Sequence, residues 1–209
     1  GERVMARLTG SKRRYDEGET IEVLEPSPDR VQPLCPHFGR CGGCSLQHLD
    51  AGRQIEAKQN TLAQNLARIG KVTPEQFWPP LTGAAWGYRR KARLSVRYVA
   101  AKERVLVGFR ETYARFVADI QECRVLDPRI GAQLAALSGL IHSMRARETI
   151  PQIEVACGDD ACALVFRHLE PLGDDDLQKL RAFARASGIA VMLQPAGPTS
   201  IHALEPDFH

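Results

Sequence analysis

The sequence predicts an α+β fold built on an antiparallel sheet. Three features carry that expectation: a basic run whose side chains alternate with period two, two short strand-like runs flanking Gly158-Asp159-Asp160-Ala161, and helical stripes that fall between groups of strands. With 209 residues, 44% of them hydrophobic and 25% charged, the chain has room for one to two domains with a sizeable core.

The first 24 residues hold two strand-like runs, Arg3-Val4-Met5-Ala6-Arg7-Leu8 and Thr20-Ile21-Glu22-Val23-Leu24, joined by a charged connection. Pro26, Pro28 and Pro33 then mark an extended linker. Residues 50–69 read as an amphipathic helix, with Asp50 able to cap it, Ile55, Leu62, Leu66 and Ile69 roughly on one face, and Gly70 as its stop. A proline-rich stretch, 74–80, follows.

From Lys91 the pattern changes to strict alternation. Ala92, Leu94, Val96 and Tyr98 fall on one side, and Lys91, Arg93, Ser95 and Arg97 on the other. After a short turn, Val105-Leu106-Val107-Gly108-Phe109-Arg110 can pair back against that strand. Asp127-Pro128 opens a helix expected to run to about 146, its buried stripe being Ile130, Leu134, Leu137, Ile141 and Met144. His142 beside that stripe reads as a packed side chain. Strands at 153–156 and 163–167, a helix over 174–187 and a strand at 189–193 complete the order. Gly188 suits a helix C-cap, and Asp174-Asp175-Asp176 complements the dipole at the helix start better than it suggests a metal site.

Charge is unevenly spread. Residues 1–130 hold 22 basic against 15 acidic side chains, and residues 131–209 hold 6 against 10, so the net +3 conceals a basic front. The window 86–115 alone has nine cations and two anions. Cations two residues apart on a strand stand about 6–7 Å apart, close to the spacing of successive phosphates. Interleaved aromatic rings add stacking surface for unpaired bases. The expected nucleic-acid contacts are Tyr88, Arg89, Arg90, Lys91, Arg93, Arg97, Phe109 and Arg110.

The densest chemistry lies in Cys35-Pro36-His37-Phe38-Gly39-Arg40-Cys41-Gly42-Gly43-Cys44. The C-x5-C-x2-C spacing sets three soft ligands on one tight loop, with two glycines that leave the backbone open to a bulky inorganic group. An iron-sulfur cluster is favoured, with zinc second; a disulfide framework is disfavoured in a chain that shows no signal peptide and no long apolar span. A fourth ligand is needed. Cys123, at the junction between an apolar run and Asp127-Pro128, is the first candidate; Cys157, Cys162, His37 and His48 are others. Cys157 and Cys162 flank a turn and read as small buried hydrophobes facing each other across a hairpin end, where a disulfide would need an oxidising compartment.

The cysteine run, Gln47-His48, Trp86-Gly87-Tyr88-Arg89-Arg90-Lys91-Ala92-Arg93, Gly108-Phe109-Arg110 and the lone Cys123 follow one another in an order that resembles the bacterial 23S rRNA (uracil-5-)-methyltransferases. Transfer RNA uracil methyltransferases share part of the pattern. The resemblance implies partial TRAM-like β-barrel strands over 1–26, a linker and cluster-binding loop over 27–49, a central RNA-binding α+β domain over 50–194, and a linker over 195–209 towards a methyltransferase domain that the chain lacks. It implies Cys35, Cys41, Cys44 and Cys123 as ligands of a 4Fe-4S cluster, and S-adenosylmethionine as a cofactor of the full-length parent alone.

The family's chemistry uses a cysteine that adds to C6 of uracil, making C5 the nucleophile that takes the methyl group. No glycine-rich cofactor turn and no cysteine in a Ser-Cys-Asn-Pro setting occur here, so this piece is expected to be inactive alone and to position a uridine for a separate catalytic domain. Ribosomal RNA as partner, a monomeric state, no membrane association and a cytoplasmic location complete the expectation. The alternative is a zinc-stabilised nucleic-acid-binding module with no enzyme parent.

Overall fold

A strand with one apolar face must lay that face on something, and the Lys91–Val99 strand does so as the second strand of a six-stranded sheet. The computed structural model describes residues 1–205. In chain order the elements are β1 (Arg3–Ser11), β2 (Asp16–Glu25), α1 (Ala51–Asn65), β3 (Lys91–Val99), β4 (Arg104–Gly108), α2 (Pro128–Gly131), α3 (Leu134–Ser143), β5 (Gln152–Cys157), β6 (Cys162–Arg167), α4 (Asp174–Ser187), β7 (Ala190–Gln194) and β8 (His202–Glu205).

The large sheet runs β4-β3-β5-β6-β7-β8 and is antiparallel at every junction except β6 with β7. That junction is parallel because α4 connects the two strands, and a parallel pair needs such a crossover. The purely antiparallel expectation is corrected at this point. A second correction is β8, a short strand inside the stretch expected to be a linker; the last four residues of that stretch, 206–209, lie outside the described residues.

One face of the sheet is the core. Leu94, Val96, Val105, Val107, Ile153, Val155, Leu164, Phe166, Val191 and Leu193 pack with Ile130, Leu134, Leu137, Ile141, Met144, Leu180 and Ala184 from the helices. The apolar stripe read from 130 to 144 is buried at every position, yet the helix is not continuous: α2 stops at Gly131 and α3 begins at Leu134. At the break the Gly131 carbonyl accepts from the Cys123 N–H at 3.0 Å, and the residue is glycine because a Cβ there would sit 2.2 Å from the Cys123 carbonyl oxygen. Asp127 caps α2, its carboxylate accepting from the Arg129 N–H at 3.0 Å.

α4 ends as expected, on Gly188 in a left-handed conformation at φ 68°. Its start differs. Asp176 turns inward, 2% exposed, and its carboxylate accepts from the backbone N–H groups of Arg145 and Ala146 at 2.9 and 3.0 Å, tying the end of α3 to α4.

The chain divides into two compact units, Gly1–Leu34 with Leu46–Pro80, and Cys35–Ser45 with the chain from Leu81 onward. The first contains the β1–β2 hairpin and α1. Its strands pair from Arg3 with Glu25 to Ser11 with Asp16, and ion pairs Arg3–Glu25 and Arg7–Glu19 cross them. Both strands are exposed almost throughout, and among the described residues no further strand joins this sheet, so no closed barrel is formed. Asp50 caps α1, accepting from Gly52 and Arg53, but none of the helix is buried, and Leu62 and Ile69 are exposed. A π-helical turn, Leu66–Gly70, ends that helix at Lys71 in a left-handed conformation.

Candidate metal centre and nucleic-acid interface

The cysteine loop is shaped by its own backbone. The Phe38 N–H donates to the Cys35 carbonyl at 3.1 Å and the Cys41 N–H to the His37 carbonyl at 2.9 Å, with Gly39 between them at φ 88°. The loop is then stitched to the segment after β4. The Gly42 N–H donates to the Arg110 carbonyl at 2.8 Å, the Thr112 N–H to the Arg40 carbonyl at 3.0 Å, and Arg40 Nε to Glu111 Oε1 at 2.8 Å. The two adjacent glycines have a reason that sequence alone did not give. A Cβ on Gly42 would lie 2.9 Å from the Arg110 carbonyl oxygen, and one on Gly43 would lie 2.9 Å from the Phe109 ring.

Cys123 arrives from elsewhere. Its N–H donates to the Gly131 carbonyl at 3.0 Å, and its sulfur accepts from the backbone N–H groups of Leu126 and Val125. The Cys41 sulfur accepts likewise from the Gly43 N–H. Burial pushes the Cys41 thiol up, and negative charge on Cys123, Cys44 and Cys35 pushes it the same way. Burial pushes Cys123 up as well, reinforced by Cys44 and Cys35. The four sulfurs therefore feel one another, although Cys123 lies 79 residues beyond Cys44. Four gathered thiols ionise together only around a cation, and sulfur donors suit a soft one. The donor set fits an iron-sulfur or zinc centre.

Arg89 joins the two parts. Its N–H donates to the Val125 carbonyl at 2.8 Å, its carbonyl accepts from the Asp127 N–H at 3.0 Å, and its Nη2 donates to the Gly43 carbonyl at 3.3 Å. The guanidinium also lies 5.5 Å from the centre of the Phe109 ring. Arg89 and Phe109, both expected as nucleic-acid contacts, are thus engaged within the cysteine loop.

A second sulfur group was read differently from sequence. Cys157 and Cys162 are joined as a disulfide across the β5–β6 hairpin instead of merely packing. Among the described residues, the ligand atoms of Asp127, Cys157 and Cys162 also come within 4.8 Å of one another.

Of the other expected contacts, Tyr88, Arg90 and Arg110 lie just outside the strands, and Lys91, Arg93 and Arg97 lie on the outward face of β3. Lys91, Arg93 and Arg97 are exposed there, opposite the buried Leu94 and Val96. They are not equivalent. Arg93 is paired with Glu154 at 3.0 Å, and Arg90 with Asp159. Lys91, Arg97 and Arg110 make no ion pair among the described residues. Tyr88, Tyr113 and Phe116 expose their rings. Register adds a cation that the sequence reading missed: Arg167 pairs with Gln152, which pairs with Ser95, so Arg167 shares the open face with Arg93 and Arg97. It stands 70 residues after Arg97, and only strand order brings it near.

Comparison with known proteins gives the class. No family model matches the chain. Curated 23S rRNA (uracil(1939)-C(5))-methyltransferases RlmD do: that of Xanthomonas euvesicatoria pv. vesicatoria is 52% identical over 206 residues, covering 99% of this chain and 46% of the relative. The RlmD of Alkalilimnicola ehrlichii is 52% identical over 201 residues (96% and 45%), and that of Hahella chejuensis 50% over 206 (99% and 46%). Over almost its whole length the chain is thus homologous to a portion of the bacterial 23S rRNA (uracil-5-)-methyltransferases. It spans less than half the length of these relatives.

The crystal structure of the Pyrococcus abyssi tRNA (uracil-54, C5)-methyltransferase in complex with S-adenosyl-L-homocysteine matches the fold. Its TM-score is 0.56 at 20% identity, covering 90% of this chain and 42% of that one. No helix among the described residues is long and apolar enough to cross a membrane.

Proposed function

We propose that this chain is the RNA-holding, cluster-bearing part of an S-adenosylmethionine-dependent 23S rRNA (uracil-5-)-methyltransferase. Cys35, Cys41, Cys44 and Cys123 would ligate a 4Fe-4S cluster, and the open face of the sheet would hold ribosomal RNA while a separate catalytic domain methylates a uridine at C5. The observation that carries this reading is the gathering of four thiols from two distant segments beside a cationic strand.

Three cysteines on one tight loop, with two adjacent glycines that leave the backbone open to a bulky inorganic group, favour a cluster over zinc. The cluster's contribution is to fasten the cysteine loop to the Cys123 segment; when bound it supplies charge neutralisation and a cross-link over a long stretch of chain. The protein's own groups do the rest: N–H donors from Gly43, Val125 and Leu126 stabilise the thiolates, and Lys91, Arg97, Arg110 and Arg167, which make no ion pair among the described residues, offer cations to phosphates.

The chain would act as a monomer in the cytoplasm and would transfer no methyl group alone, S-adenosylmethionine belonging to the full-length parent. Iron, sulfide and zinc analysis of anaerobically purified protein tests the centre. About four irons and four sulfides per chain, lost in Cys123→Ala, are expected; one zinc and a colourless protein would replace this reading with the zinc module.

A further inference from the structure

The hairpin between β5 and β6 carries two cysteines that the four-thiol group leaves unused. Cys157 and Cys162 are directly opposed, with Cα atoms 4.1 Å apart and their sulfurs joined. Their rung carries no ladder bond between the two residues. The Cys157 N–H points away, to the Arg90 carbonyl at 2.8 Å, and the turn beyond is closed by the Gly158 N–H on the Ala161 carbonyl at 2.8 Å. Opposed residues at a non-hydrogen-bonded rung stand closest, so the two sulfurs are held within bonding reach of each other by the hairpin itself.

The turn is also held from outside the pair. Arg129 Nη2 donates to the Gly158 carbonyl at 2.9 Å and to Asp127 Oδ2 at 2.8 Å, and Arg90 pairs with Asp159. Breaking the S–S bond would therefore leave the two sulfurs facing each other. Their access differs: Cys162 is 4% exposed, whereas Cys157 is half-buried. A small-molecule reagent reaches Cys157 first.

We propose that Cys157 and Cys162 form a reversible dithiol–disulfide couple, a redox-modification site separate from the four-thiol group, with Cys157 as the entry sulfur and Cys162 as the resolving one. The oxidant is a low-molecular-weight disulfide of the glutathione class. The Cys157 thiolate attacks one sulfur of that disulfide, forming a mixed disulfide and expelling one small thiolate. The Cys162 thiolate then attacks the Cys157 sulfur, the mixed bond breaks, and the second small thiolate leaves. Two electrons pass to the small molecule, and the two cysteine protons end on the two released thiols. Small thiols run the same steps backwards.

Trypsin cuts after Arg147 and Arg167, so the peptide 148–167 carries Cys157 and Cys162 and none of the other four cysteines. The whole chain is equilibrated in glutathione buffers of varied oxidised-to-reduced ratio, alkylated and digested. The peptide should pass reversibly from doubly alkylated to unalkylated as the ratio rises. Cys162→Ser should accumulate one glutathione on Cys157, while Cys157→Ser should acquire its adduct on Cys162 roughly tenfold more slowly. A wild-type peptide doubly alkylated at every ratio would overturn the proposal, and that arm needs no variant. Equal adduct rates would overturn the assigned order. One zinc per chain lost in Cys157→Ser and kept in Cys35→Ser would overturn it too, making the pair a metal site with Asp127.

Discussion

Arg89 donates through Nη2 to the Gly43 carbonyl at 3.3 Å while its own backbone is bonded to Val125 and Asp127, so one residue grips both segments that supply the thiols. Arg89→Gln removes a charged donor and the contact with the Phe109 ring. The expected cost is about 1–2 kcal/mol for a partly exposed group, read as a fall of roughly 2–8 °C in melting temperature. The cluster-loaded protein should bleach faster in air. Wild-type melting and bleaching would return Arg89 to the role of a surface cation.

Gly131→Ala should be among the most damaging single changes. Its Cβ would meet the Cys123 carbonyl oxygen at 2.2 Å, backbone against backbone, and neither side is a flexible chain end. About 3 kcal/mol of destabilisation is expected from such overpacking. Unfolding in urea and iron content measured on the same preparation should fall together. If the iron survives a large loss of stability, the Cys123 segment is held by something other than this contact.

Nucleic-acid binding should depend on cations in a graded way. Replacing Lys91, Arg97 or Arg110 by Gln should each lower the slope of log affinity against log salt by about 0.7–0.9. Arg90→Gln and Arg93→Gln should do less, because Asp159 and Glu154 already neutralise those side chains. Filter retention of a ribosomal RNA fragment at several salt concentrations measures both. Equal slopes for all five would place the RNA elsewhere.

In the first unit, the Arg30 guanidinium bonded to Glu2, helped by the Ser27 N–H, lowers the Glu2 carboxyl from 4.5 to about 2. A lowered carboxyl stabilises the folded unit fully above its unfolded value, and that stabilisation fades as pH drops from 4.5 towards about 2. An NMR titration should find the Glu2 midpoint near 2 in the wild type and shifted up from there towards 4.5 in Arg30→Gln, the Ser27 N–H still holding it somewhat low. A midpoint unmoved by the substitution would remove Arg30 as the cause.

What could be read from sequence was whatever depends on near neighbours along the chain. The alternation from Lys91 to Val99 names the two faces of β3 because a half-buried strand has period two, and the stripe from Ile130 to Met144 names the buried side of two helices. The break between those helices could not be read, because it falls where Gly131 meets the backbone of Cys123, eight residues upstream. α1 differs for a related reason: its apolar stripe is real, but its unit covers it only in part, leaving Ile55 and Leu66 half-buried and Leu62 and Ile69 exposed. Likewise β8 is four residues with little pattern of its own, and β7 beside it makes it a strand. At the centre, the cysteine spacing was plain, whereas the part of Arg89 and the double duty of Gly42 and Gly43 lie in contacts with Phe109 and Arg110.

Those contacts make the cysteine loop a poor candidate for transplantation. Its polar backbone is answered by residues 110–112 and its glycines are fitted to one ring and one carbonyl, so a synthetic decapeptide with the same ten residues would lack the mould that gives it shape. Metal uptake should therefore follow folding of the larger unit, in contrast to small zinc modules that the ion itself folds.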